Sequence, residues 1–217
     1  MVTVQHAGEL CREFPALSQH RPKGGRAIHY MHEERKMKPH SVNTAPEGAK
    51  EILQAAEKSL GFVPNLYGVM AEAPALLKAY TTVSRIFGES SLSAAEQQTV
   101  LLTVSRLNGC EYCVAAHSAL AGMQKVPEAV IGALRSGTPI ADDRLEAVRQ
   151  FTEEVVEKRG WPSTDAVNAF RHAGYAEQQM LEVILGVGMK ILSNYTNHIA
   201  KTQLDAAFVP AKWSRQA

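Results

Sequence analysis

The chain is poor in the features that mark several functional classes: it has almost no net charge, few cysteines, few aromatic residues and no long unbroken apolar run. Lys and Arg number 23 against 22 Asp and Glu, a net charge of +1. Nucleic-acid binders usually carry a basic excess or a concentrated basic face, because affinity comes mainly from neutralising phosphates. Neither is evident, so no nucleic-acid partner is expected. Three cysteines in 217 residues are too few for a secreted disulfide scaffold. The best apolar stretch, Met180 to Leu192, is broken by Glu182 and Lys190, so no membrane span is expected. The opening residues lack a cationic stretch followed by an apolar run and a small-residue cleavage site. A cytoplasmic, reducing location is therefore the default. Strand-like alternation of β-branched and aromatic residues is also missing.

What remains is ordinary globular composition, 45% hydrophobic and 21% charged, with clear helix punctuation. Residues 1–45 carry Pro15, Pro22, Gly24, Gly25 and Pro39 without a sustained apolar period and read as an extended arm. Residues 46–217 read as one helical domain. Helices are predicted over about 46–60, 64–72, 74–88, 94–107, 110–123, 127–135, 142–158, 163–172 and 176–206, which makes the fold class all-α. Ser93 and Glu96 have the spacing of a capping box, and Asn108-Gly109 predicts a break before a new helix at Cys110. The tetrad Ala95-Glu96-Gln97-Gln98 recurs as Ala176-Glu177-Gln178-Gln179. Carried further, the same register sets Cys110 against Ile191, Tyr112 against Ser193, Cys113 against Asn194 and His117 against His198. This predicts a duplicated helical unit in which one copy carries the cysteines.

The chemistry-bearing segment is Asn108-Gly-Cys-Glu-Tyr-Cys-Val-Ala-Ala-His117. On a helix, positions 110, 113 and 117 fall within about 60° of one another, so two sulfurs and an imidazole share a face. A helix start favours thiolate over thiol, and His117 lies one turn from Cys113, where it can accept a proton. Three readings fit the spacing. A structural zinc site needs about four ligands, whereas this segment supplies three, and no metal is expected. A buried, inert cysteine pair with a core histidine is the second. The third is redox chemistry, in which one thiolate is oxidised and its neighbour closes a disulfide; a thioredoxin-like setting is disfavoured for lack of a βαβ pattern.

Leu92-Ser-Ala-Ala-Glu96 through His117 resembles the alkylhydroperoxidase D-like branch of the carboxymuconolactone decarboxylase family. The resemblance extends over about residues 40–205, through Leu192-Ser-Asn-Tyr-Thr-Asn-His198, and leaves the arm before Met37 outside. It implies an all-helical fold with internal duplication, homo-oligomers such as trimers or hexamers, and a thiol-dependent peroxidase acting in antioxidant defence. The cysteine pair then serves in place of a bound cofactor, and an external dithiol or protein reductant restores it. By the same resemblance Cys113 attacks the peroxide, Cys110 resolves the sulfenic acid and His117 belongs to a proton relay. The relay's carboxylate position is occupied here by Gln98, an amide that can orient a group but cannot carry a proton at neutral pH.

Several auxiliary residues are weighed on the same terms. Glu96 is a substitute carboxylate or the capping partner of Ser93. Tyr112 is a donor to peroxide or a packing residue, Glu111 is expected to be solvated, and His198, with Asn194 and Tyr195, is either a relic of duplication or a contributor to the site. His29, His32 and His40 read as part of a solvated arm, Cys11 as incidental, and the charges of 142–158 as a solvated helix face. Two other functions are kept in view. One is decarboxylation of a carboxylated lactone, which does not need the thiols. The other is a non-enzymatic oligomeric redox-sensing module.

Overall fold

Proline and serine start the helices where the sequence places them. The computed structural model describes residues 36–215, so Cys11, His29 and His32 lie outside the described residues. Helices α1 (Glu47–Leu60), α2 (Asn65–Met70) and α6 (Glu128–Ser136) each follow a proline, and α3 (Pro74–Gly88) begins on one. Helix α4 (Ala94–Leu107) has the full capping box: Glu96 N donates to Ser93 Oγ at 3.3 Å and Ser93 N to Glu96 Oε2 at 2.7 Å. After the Asn108-Gly109 break comes α5 (Glu111–Met123). Asp142 and Ser163 cap α7 (Asp143–Glu157) and α8 (Thr164–His172) with their side chains. Helix α9 (Glu177–Ala200) is the longest. No strand occurs among the described residues, and none of the described helices is long and apolar enough to cross a membrane.

The predicted last helix ran to 206, but α9 stops at Ala200. Lys201 turns left-handed at φ 51° and donates its N–H to Asn197 O. The chain then reaches a short 3₁₀ helix, Ala206–Ala211, that packs on α5. Of the expected arm, residues 36–45 are described. They run along the helical body, where Met37 N donates to Ala200 O and His40 N to Gly68 O.

Helix α4 is central and packs on α3, α5, α6, α7 and α9. Its apolar side chains serve two buried clusters: Val100 and Val104 join Leu53, Leu77, Phe87 and Met189, while Leu102 joins Val114, Ala121 and Leu134. Helix α9 approaches closely because position 186 is glycine, where a Cβ would lie 2.8 Å from both Phe87 and Val100. The charges of 142–158 are not all solvated. Arg149 is buried and pairs with Glu146 and Glu153, and Glu153 also takes Arg106 of α4 at 2.6 Å. The repeated tetrad opens both α4 and α9, yet α9 continues through Met189-Lys190, the positions matching the Asn108-Gly109 break.

Candidate active site

The α4–α5 break sets the sulfurs. Gly109 at φ 65° turns the chain, and Cys110 N donates to Ser105 O at 2.9 Å, which leaves Cys110 as the N-cap of α5. Cys113 is then in the first helical turn, where the unpaired backbone N–H groups favour negative charge. Both thiols are free and each residue is 1% exposed.

Helix α9 supplies the opposite wall. Lys190, Ser193, Asn194 and Asn197 are all buried, and their spacing of 0, 3, 4 and 7 places them along one helix face. Asn197 Nδ2 donates to Cys113 Sγ at 3.2 Å and lies 3.7 Å from Cys110 Sγ. Asn108 holds Asn194 by donating from Nδ2 to Asn194 Oδ1 at 2.9 Å. The Lys190 ammonium is fully buried with no hydrogen-bond partner among the described residues, and Asn194 Nδ2 also lacks a conventional one there. Burial opposes charge on Cys113, but the Cys110 thiol, the Lys190 ammonium and the Ser193 and Asn194 side chains outweigh it and hold Cys113 well below the usual thiol pKa. Cys110 is pushed the other way, because its proton is held in the hydrogen bond to Cys113 and burial adds to this. The two acidities are thus driven apart, which favours a thiolate at Cys113 beside a thiol at Cys110. Sequence reasoning missed Lys190, Ser193 and Asn197. The signal was a polar stripe at helical spacing within an otherwise apolar helix, and Lys190 had counted only as an interruption.

On the remaining side, His117 Nδ1 lies 3.1 Å from Gln98 Oε1, while Gln98 Nε2 donates to Gln124 Oε1 at 3.0 Å. That chain makes Gln98 Oε1 the acceptor, puts the imidazole proton on Nδ1 and leaves Nε2 able to accept. Burial, reinforced by Lys190, holds the His117 pKa well below its ordinary value, so the ring is neutral at pH 7.

The auxiliary candidates separate cleanly. Glu96 is committed to its capping box and accepts from the Tyr175 hydroxyl, so it is no substitute for the relay carboxylate. The Tyr112 hydroxyl donates to Asp205 Oδ2 at 2.5 Å and accepts from Leu66 N at 3.3 Å, which leaves no proton for a peroxide oxygen. His198 is exposed and faces Tyr195, with ring centroids 6.4 Å apart. It is about 100° around α9 from Asn197, on a different face from the residues at the sulfurs. Asn194, weighed beside it, is the residue the structure brings to the site. Glu111 is exposed and accepts from Arg215 N at 3.2 Å. His40 pairs with Glu72 at 2.7 Å. Among the described residues no cluster of three His, Cys, Asp or Glu side chains is arranged to hold a metal ion. A surface groove of about 390 Å³, lined in part by Val187, Ile191 and Tyr195, reaches Asn108, the residue that holds Asn194.

Residues 72–154, from the end of α2 through most of α7, match the carboxymuconolactone decarboxylase family model. No curated protein matches the chain. Among solved structures, a peroxidase-related protein from Ralstonia eutropha JMP134, described as an alkylhydroperoxidase AhpD core, superposes with a TM-score of 0.71 at 18% identity, over 80% of this chain and 93% of that one. A peroxidase-related protein from Silicibacter sp. TM1040 gives 0.64 at 22% identity, over 75% and 87%. The debrominase Bmp8 in complex with 2,3,4-tribromopyrrole gives 0.68 at 17% identity, over 82% and 97%. The chain thus has an alkylhydroperoxidase D-like fold, and its residues 72–154 are similar to the carboxymuconolactone decarboxylase family.

Proposed function

We propose that the protein is a thiol peroxidase that cycles Cys110 and Cys113 between dithiol and disulfide in antioxidant defence. The observation that carries this reading is the polar setting of the buried pair: Cys110 caps α5, Cys113 sits in its first turn, and Asn197 Nδ2 donates to Cys113 Sγ at 3.2 Å, with burial and neighbouring charges driving the two acidities apart. Inert core cysteines have no need of buried polar side chains gathered around them, since each such group costs free energy to desolvate.

The Cys113 thiolate attacks one oxygen of ROOH, the O–O bond breaks, and RO⁻ leaves with a proton to give ROH. The Cys110 thiol is placed to supply that proton. The Cys110 sulfur, now a thiolate, then displaces hydroxide from the Cys113 sulfenic acid, forming the S–S bond, and the hydroxide takes a proton from solvent to leave as water. Two electrons from an external dithiol or protein reductant restore the pair, and the dithiol leaves as a disulfide. His117, neutral and with Nε2 open, is the acceptor for protons released when the pair is re-reduced. With each cysteine 1% exposed, the site suits a small peroxide better than a halogenated ring of the kind bound by the debrominase.

The test is stoichiometric. Reduced protein should consume about one peroxide per pair and gain a Cys110–Cys113 disulfide by mass spectrometry. Cys113→Ser should abolish consumption, and Cys110→Ser should stop at a trappable sulfenic acid. Equal consumption by Cys113→Ser and wild type rules the reading out. Turnover of a carboxylated lactone that survives loss of both thiols would favour the decarboxylase instead.

A further inference from the structure

Lys190 is the most anomalous group among the described residues. It is a cation on the inner face of α9, fully buried and, among the described residues, without a hydrogen-bond partner. A buried charge persists only where something compensates it. Lys190 lies on the same helix face as Ser193, Asn194 and Asn197, the residues beside the sulfurs, and Asn197 touches both cysteines. Its field acts on Cys110, Cys113 and His117 together.

The titratable groups that interact with Cys113 are Cys110 and Tyr112 at the start of α5, Tyr80 from α3 with Tyr67 of α2 behind it, and Lys190 from α9, while His117 lies one turn along α5. His117 is neutral, and burial keeps Tyr80 and Tyr112 protonated. Within this set the Lys190 ammonium is opposed by one anion, the thiolate.

We propose that Lys190 is the counter-cation of the Cys113 thiolate and that, with no hydrogen-bond partner among the described residues, it biases the Cys110–Cys113 pair towards its reduced form. The redox balance shows why. Oxidation by glutathione disulfide converts Cys110–SH and Cys113–S⁻ into the S–S bond, and the glutathione disulfide becomes one thiol and one thiolate. Negative charge leaves the site, and a buried ammonium stays behind unpaired. Stabilising the reduced state at the expense of the disulfide makes a couple more oxidising, so the disulfide readily accepts electrons from a dithiol. Lys190 is a positioning residue in this sense. It sets the charge state of the nucleophile and the ease with which the oxidised site is re-reduced.

The inference rests on Cys113 being the nucleophile of the proposed peroxidase, but its test uses no peroxide. Lys190→Met removes the charge at nearly constant length, and Lys190→Arg keeps it. Thermal unfolding verifies that each variant is folded. The thiolate absorbance of Cys113 in the ultraviolet, taken as the difference from Cys113→Ser, is titrated against pH. The disulfide fraction is then measured in glutathione buffers. Loss of the charge should raise the Cys113 pKa by at least about one unit and favour the disulfide at least about tenfold, and Lys190→Arg should stay near wild type. Folded Lys190→Met with an unchanged thiolate titration overturns the proposal. A shifted titration with an unchanged glutathione equilibrium overturns its redox half. Protein that consumes no peroxide yet shows both shifts sinks the peroxidase and leaves Lys190 in its role.

Discussion

A histidine held by an amide differs from one held by a carboxylate. Gln98 Oε1 orients His117 without stabilising an imidazolium, and the Lys190 ammonium opposes protonation of the ring. The positive charge of the site therefore sits on α9 rather than on the imidazole. Gln98→Glu would set a carboxylate against Nδ1–H, with Gln124 able to turn its amide nitrogen toward the new oxygen. The expected result is a raised His117 pKa, visible in an imidazole NMR titration, and faster peroxide consumption at neutral pH; positioned acid–base groups contribute about 10²-fold or more where proton transfer limits. A raised pKa with an unchanged rate would show that His117 transfers no proton in the slow step.

Spacing placed Cys110, Cys113 and His117 on one face, and the family resemblance added Gln98, which the structure sets 3.1 Å from His117 Nδ1. The wall they face was not. Asn197 touches the sulfurs across 84 and 87 positions of sequence, and no periodicity within α5 reports a partner that distant. The partner of Tyr112 was hidden for the same reason, since its hydroxyl is taken by Asp205, 93 positions away.

At the scale of elements, local chemistry was enough. Proline starts, serine and aspartate caps, and left-handed glycines at 61, 109 and 137 mark helix ends by short-range sterics and hydrogen bonding that need no tertiary context. The end of α9 was less legible because Lys201, an ordinary helix former, adopts the left-handed turn where a glycine would have announced it. The α4 capping box gives a prediction of its own. Ser93→Ala should cost about 1 kcal/mol of stability in denaturant unfolding, with the Cys113 thiolate titration unmoved. Burial works against charge on Glu96, yet hydrogen bonds from Tyr175 and Ser93 prevail and keep its pKa below the ordinary carboxylate value. Its contribution is present above the unfolded carboxylate pKa and disappears as pH falls through the lower folded value. The deficit of Ser93→Ala should therefore shrink in strong acid, and a deficit independent of pH would mean the box is not electrostatic.

Over the whole molecule, the residues after α9 fold back onto α5 and α6. Asp205 joins Tyr112 to Asn65 N, and Arg135 donates to Ala211 O and Lys212 O while its own carbonyl accepts from Trp213 Nε1. Tyr112→Phe leaves a buried carboxylate one donor short, which should cost about 1–3 kcal/mol and expose the tail to proteolysis before global unfolding. Wild-type stability and protease resistance in that variant would mean that the tail is anchored elsewhere.

Because α9 runs unbroken past the sulfurs, it works as a ruler for the site. Inserting one residue between Lys190 and Ser193 would swing the ammonium about 100° around the helix axis, and inserting seven would restore its direction but carry it about 10 Å away. Sequence length within this segment is thus as constrained as residue identity. A relative or designed variant that keeps every side chain but gains or loses a residue here would have a thiolate without its counter-charge.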